Sequence, residues 1–147
     1  MGLSQVNMTF YQCKYFRIWE LVDKETYDRF GDRCWMFFQP RALFSLDGIR
    51  VHFGKPVIVN NWLWGGDFQF RGFRPMTCQT GAEYSQHRMG NAFDLDVQGM
   101  TAEEIRQEIL KRKDDVLFHF IMCLEAGTNW VHFDCRNILQ RIRVVNP

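Results

Sequence analysis

Hydrophobic and polar positions change their spacing several times along this chain, and each change marks an element. The run from Asp23 to Gly31 reads as a short helix, with Asp23 as its N-cap and Gly31 as its stop. A second helix opens at Pro40, a residue suited to a first helical turn. Leu43, Leu46, Ile49, Val51 and Phe53 supply its apolar positions before Gly54 ends it. Pro56 to Val59 is a β-branched run and predicts a strand. Asn60 to Gly66 has neither helical nor strand periodicity and reads as a loop, and Phe68 to Phe73 as another short strand.

Alternation is clearest from Asn91 to Val97. A strand there places Ala92, Asp94 and Asp96 on one face and Phe93, Leu95 and Val97 on the other. Thr101-Ala102-Glu103-Glu104 matches a capping box, and the helix it opens runs to about Arg112 with Ile105, Ile109 and Leu110 on its apolar side. Leu117 to Glu125 and Trp130 to Arg136 then read as strands flanking a turn at Ala126 to Asn129. The expected class is α+β: a small, mainly antiparallel sheet flanked by helices. No repeat or linker divides the chain, so residues 1–147 read as one domain, with residues 1–14 as an N-terminal extension.

Composition changes this picture little. The 147 residues are 46% hydrophobic and 24% charged, which suits one globular domain with a sizeable core. A formal net charge of +1 and the absence of a basic run give no argument for nucleic acid or an acidic membrane surface. The first residues lack a basic region followed by an apolar core, so no secretory signal is read, and no stretch is long enough to span a bilayer. The five cysteines are scattered and form no CxxC pair; they read as reduced thiols. Synthesis in a bacterial cytoplasm and a monomeric state are expected. The 14 Phe and 5 Trp are mostly core material, although Trp130 and the Trp62/Trp64 loop also suit the wall of a cleft.

The candidate chemistry lies in two segments, Ser85-Gln86-His87-Arg88-Met89-Gly90-Asn91-Ala92-Phe93-Asp94 and Trp130-Val131-His132-Phe133-Asp134. Two imidazoles and a carboxylate, His87, Asp94 and His132, can hold a zinc ion and leave its fourth tetrahedral position open, as catalytic sites do. Gly90 permits the tight path that folds His87 back toward Asp94. In the hairpin, pairing Glu125 with Trp130 sets Cys123 opposite His132. Glu125, Trp130, His132 and Asp134 then project to one side, whereas a one-residue slip turns Glu125 away.

The pattern Ser-x-His-x-x-Gly-x-Ala-x-Asp followed by Trp-Val-His-x-Asp resembles the zinc D-alanyl-D-alanine carboxypeptidase family, and most of all its small phage-encoded endolysins. The likeness covers the chain from about Tyr15 to Arg136, through the Phe53-Gly54-Lys55-Pro56 junction and Arg71-Gly72-Phe73-Arg74-Pro75. It implies a hedgehog/D-Ala-D-Ala peptidase-like domain with zinc on His87, Asp94 and His132. It also implies hydrolysis of peptidoglycan stem peptides at the cell wall after release, and Arg74 as the arginine that engages substrate. Arg71 competes for that role, and Ser85 and Trp130 complete the substrate-binding candidates. One departure stands out. The acid that many such enzymes carry three residues before the last histidine is here Asn129, and Glu125 is the expected substitute as general base, ahead of Asp134 and Glu83. A zinc-binding but non-catalytic phage or virion module is the alternative, and a peptidase or amidase acting on a small cytosolic molecule a weaker third. Asp96 is a possible partner orienting a ligand, with a solvent-facing role as the plainer reading.

Overall fold

A computed structural model of the chain describes residues 9–147; most of the expected N-terminal extension lies outside the described residues. Among the described residues three helices, α1 (Lys24–Phe30), α2 (Pro40–Phe53) and α3 (Ala102–Lys111), accompany five short strands: β1 (Val57–Ile58), β2 (Ala92–Val97), β3 (Cys123–Glu125), β4 (Val131–Asp134) and β5 (Arg143–Val145). They form one open sheet in the order β1-β2-β4-β3-β5. Every pairing is antiparallel except the parallel β3–β5 pair. The architecture is α+β, and no helix among the described residues is long and apolar enough to cross a membrane.

Local sequence accounts for the helix ends. The Asp23 carboxylate accepts from the Thr26 amide and hydroxyl, and Gly31 closes α1 at φ 56°. Pro40 opens α2 and Gly54 ends it in the left-handed region at φ 61°. In α3 the Thr101 hydroxyl and the Glu104 carboxylate each accept from the other's amide. Ala42, Leu43, Leu46 and Ile49 bury the inner face of α2; Val51 falls outside that stripe and is exposed.

The core forms where α2 and α3 pack on one face of the sheet. Phe93, Leu95 and Val97 of β2, Val131 and Phe133 of β4 and Leu124 of β3 all join it. Phe93 stacks on Phe38 at 5.5 Å and meets Phe133 at 5.8 Å between ring centroids. Alternation therefore sends Asp94, His132 and Asp134 to the opposite face.

Several expectations need correction. Phe68 to Phe73 is irregular rather than a strand, because its polar groups are satisfied singly: the Phe68 and Arg71 amides donate to the side chains of Asn61 and Asn60, and the Phe73 amide to the Leu21 carbonyl. The segment 117–125 is a strand only at Cys123–Glu125; Val116–Phe118 is instead a 3-10 turn capped by Asp115. In the hairpin Cys123 faces Asp134, not His132, and Leu124 faces Phe133. The register is two residues from the expected one. Its cause is the wider turn held by Arg106, whose guanidinium donates to the carbonyls of Thr128 and Trp130 at 3.1 Å each. A shift of two preserves the faces, so Glu125 still shares the side of His132.

Candidate metal centre

His87 reaches the site through a tight turn on the loop before β2. The Gly90 amide donates to the His87 carbonyl and the Asn91 amide to the Gln86 carbonyl. Gly90 has φ 66°, and a Cβ there would collide with the Phe37 backbone. The His87 amide donates to the Ser85 hydroxyl at 3.2 Å. His87 Nδ1 lies 2.8 Å from the Gly72 carbonyl, which can only accept, so Nδ1 is protonated and Nε2 is the nitrogen that faces the centre.

Asp94 and His132 arrive from neighbouring strands, directly opposite each other in the β2–β4 register. Asp94 Oδ1 lies 2.9 Å from His132 Nδ1 and 3.3 Å from His87 Nε2. Asp94 Oδ2 accepts from Arg74 Nη2 at 3.2 Å. On the far side of the His132 ring, Nε2 donates to Asp134 Oδ2 at 2.9 Å. Asp134 is fully buried, and Arg136 grips both of its oxygens at 2.7 and 2.6 Å.

Electrostatics follow from this packing. Burial would raise the Asp94 carboxyl, but hydrogen bonds from His132 and His87 outweigh it and hold Asp94 far below the usual carboxylate range. Burial would lower His132, but its bonds to Asp134 and Asp94 push it up to about 9. Asp134 is depressed by Arg136 and His132 against the opposing effect of its own burial.

The three residues fit a metal ion. One donor atom from each of His87, Asp94 and His132 lies within 4.8 Å of the others, and all three side chains are buried. Each imidazole has its remaining nitrogen engaged, His87 on a carbonyl and His132 on a carboxylate, which fixes which nitrogen faces the centre. Two nitrogens and one oxygen suit a divalent cation of borderline softness.

The other expected residues divide. Arg74, Ser85, Glu125 and Trp130 line the same cleft of about 530 Å³ as the ligand set. Arg74 is braced by its Nε bond to the Phe70 carbonyl at 2.8 Å, and Glu125 Oε1 lies 4.0 Å from His132 Nε2. Arg71 belongs to an adjacent cleft: it pairs with Asp96 at 2.8 Å and lies 4.2 Å from the centroid of the Phe68 ring. Asp96 thus serves Arg71 rather than a ligand. Asn129 lines that second cleft too, while Glu83 is exposed and lines neither. Trp62 is held by its Nε1 bond to the Val22 carbonyl, and neither it nor Trp64 lines the site. Arg136 and Gly72 are the functional neighbours that sequence reasoning missed. The alternation His132-x-Asp134-x-Arg136 is a signal for the first; the second has none. Compared with known protein families, curated proteins and solved structures, the chain matches none.

Proposed function

We propose that this chain is a zinc-dependent peptidase that hydrolyses peptide bonds in bacterial peptidoglycan stem peptides. In this reading it has a hedgehog/D-Ala-D-Ala peptidase-like domain, a phage origin, and a route from the host cytoplasm to the wall. The observation that carries the reading is the convergence of His87, Asp94 and His132 on one buried point beside Arg74 and Glu125. When bound there, zinc would polarise a scissile carbonyl and acidify a water molecule. The protein supplies the rest. Asp94 contributes Oδ1 while Arg74 occupies Oδ2, which keeps the carboxylate oriented. Arg74, which lines the cleft beside the ligand set, adds positive charge where an oxyanion would develop. Glu125 accepts the proton of the attacking water at its carboxylate and returns it to the leaving amine. Trp130, at the cleft wall, supplies a flat apolar surface for the peptide.

Digestion of purified muropeptides, followed by mass spectrometry, tests this. Zinc-loaded protein is expected to cleave them, and Glu125→Gln to lose roughly 100- to 10,000-fold in turnover while keeping its zinc. Full turnover in Glu125→Gln would remove Glu125 from the chemistry. A second reading, a zinc-binding module without hydrolysis, is favoured by the amide at Asn129 where an acid is expected. Tight zinc binding by a wild-type protein that cleaves no muropeptide would establish it.

A further inference from the structure

Arg74 stands between the ligand set and the loop that follows it. Its guanidinium has donors on Nε, Nη1 and Nη2. Nε donates to the Phe70 carbonyl at 2.8 Å, and Nη2 to Asp94 Oδ2 at 3.2 Å. Nη1 makes no hydrogen bond among the described residues. It is not sealed from solvent either, as the partnerless Arg88 Nε is. Nη1 is therefore the donor that Arg74 keeps open.

The residue beside Nη1 is Gly81. Its loop is braced on both sides: the Cys78 amide donates to the Pro75 carbonyl, Arg88 Nη2 to the Cys78 carbonyl, and the Ser85 amide to the Ala82 carbonyl. Between these turns the chain passes Arg74 at Gly81, which is exposed and has φ 81°. A Cβ on Gly81 would collide with Arg74 Nη1. The tip of a free arginine would swing aside. Arg74 is held at Nε and Nη2, so it could yield only by loosening its bond to Asp94, a member of the ligand set. Other glycines of positive φ lack such a neighbour: Gly65, Gly99 and Gly127 face open space. Gly81 and Arg74 both line the cleft of about 530 Å³ that holds His87, Asp94 and His132.

We infer that Gly81 is a positioning residue: having no side chain, it leaves Arg74 Nη1 free to donate to the scissile carbonyl oxygen as that oxygen gains negative charge. This rests on the peptidase reading of the metal centre. Gly81 itself makes or breaks no bond and moves no proton.

Kinetics on muropeptides with the full, zinc-loaded chain test the inference. Gly81→Ala is expected to lower kcat about tenfold or more while KM and zinc affinity change little, because the lost bond belongs to the charged transition state. Gly81→Asn carries the same Cβ with less strain at positive φ and should lose as much. Gly99→Ala, which sets alanine at φ 76° in open space, should keep wild-type turnover. In an Arg74→Ala background, Gly81→Ala should add no further loss, since its effect passes through Arg74. A stem peptide with a phosphinate in place of the scissile amide gives a readout without turnover, and its Kd by calorimetry should weaken by a similar factor in Gly81→Ala. Unchanged kcat in Gly81→Ala, or equal losses with and without Arg74, would overturn the inference and leave the peptidase reading standing. No cleavage by wild-type protein that holds zinc would remove both.

Discussion

At the scale of single residues, His132 depends on what lies behind it. Its Nε2 proton is held by a buried Asp134, which Arg136 holds in turn. Asp134→Asn keeps the shape and removes the charge, and is expected to weaken metal affinity roughly 10- to 100-fold, measured by titration against a competing chelator. The same partners make the metal-free site pH-dependent. His132 rises from 6.5 to about 9 on folding, so its contribution to stability is full below about 6.5 and is lost as pH climbs through about 9. A metal ion would take the place of that proton, so stabilisation by added zinc is expected to grow over the same interval. Thermal unfolding from pH 6 to 9, with and without zinc, measures both trends; parallel curves would contradict the proton–metal exchange. His87, Asp94 and His132 were legible because a turn glycine and strand alternation dictate which side chains can meet. Arg136 was hidden because its role appears only once Asp134 is known to be buried. Arg74 was preferred to Arg71 only through the family resemblance. Arg71 lies within the irregular segment 68–73 and Arg74 directly after it, and only their partners, Asp96 and Asp94, assign them to different clefts.

At the scale of elements, the site depends on a turn and a register. Gly90 brings the His87 turn against the chain entering α2, where the Gln39 amide donates to its carbonyl at 2.9 Å. Gly90→Ala adds a Cβ at positive φ against the Phe37 backbone. It is expected to cost at least about 2 kcal/mol in chemical denaturation and to weaken metal binding with it. The helices were readable because each carries its own end signals. The short strands were not. β5 spans Arg143–Val145 and offers no alternation; it is a strand because β3 lies alongside it in parallel. The β3–β4 register was misjudged because the turn is widened by Arg106, a buried arginine of α3 that reaches it from a distant part of the chain.

At the scale of the whole molecule, the centre is assembled from distant parts of the chain. His87 comes from a loop, Asp94 and His132 from paired strands, and the support for that loop from Leu21, Gly72 and Phe37. Outside the site, Arg141 ties the C-terminal segment to the body by donating to the carbonyls of Lys113 and Phe118 at 2.7 Å each. The Ala126 amide then donates to Val145 at the end of the strand that carries Glu125. Class and helix positions follow from the sequence pattern, whereas the assembly of the site depends on these long-range ties. The central question for the whole molecule is whether that assembly is a zinc centre that cuts cell-wall peptides. Digestion of purified peptidoglycan by zinc-loaded wild-type protein and by folded His87→Ala, with the released peptides quantified, tests this most directly. A zinc peptidase should give cleavage that chelation abolishes and zinc restores, and that falls at least about 100-fold in His87→Ala. Undiminished cleavage by His87→Ala, or none by zinc-loaded wild type, would contradict it.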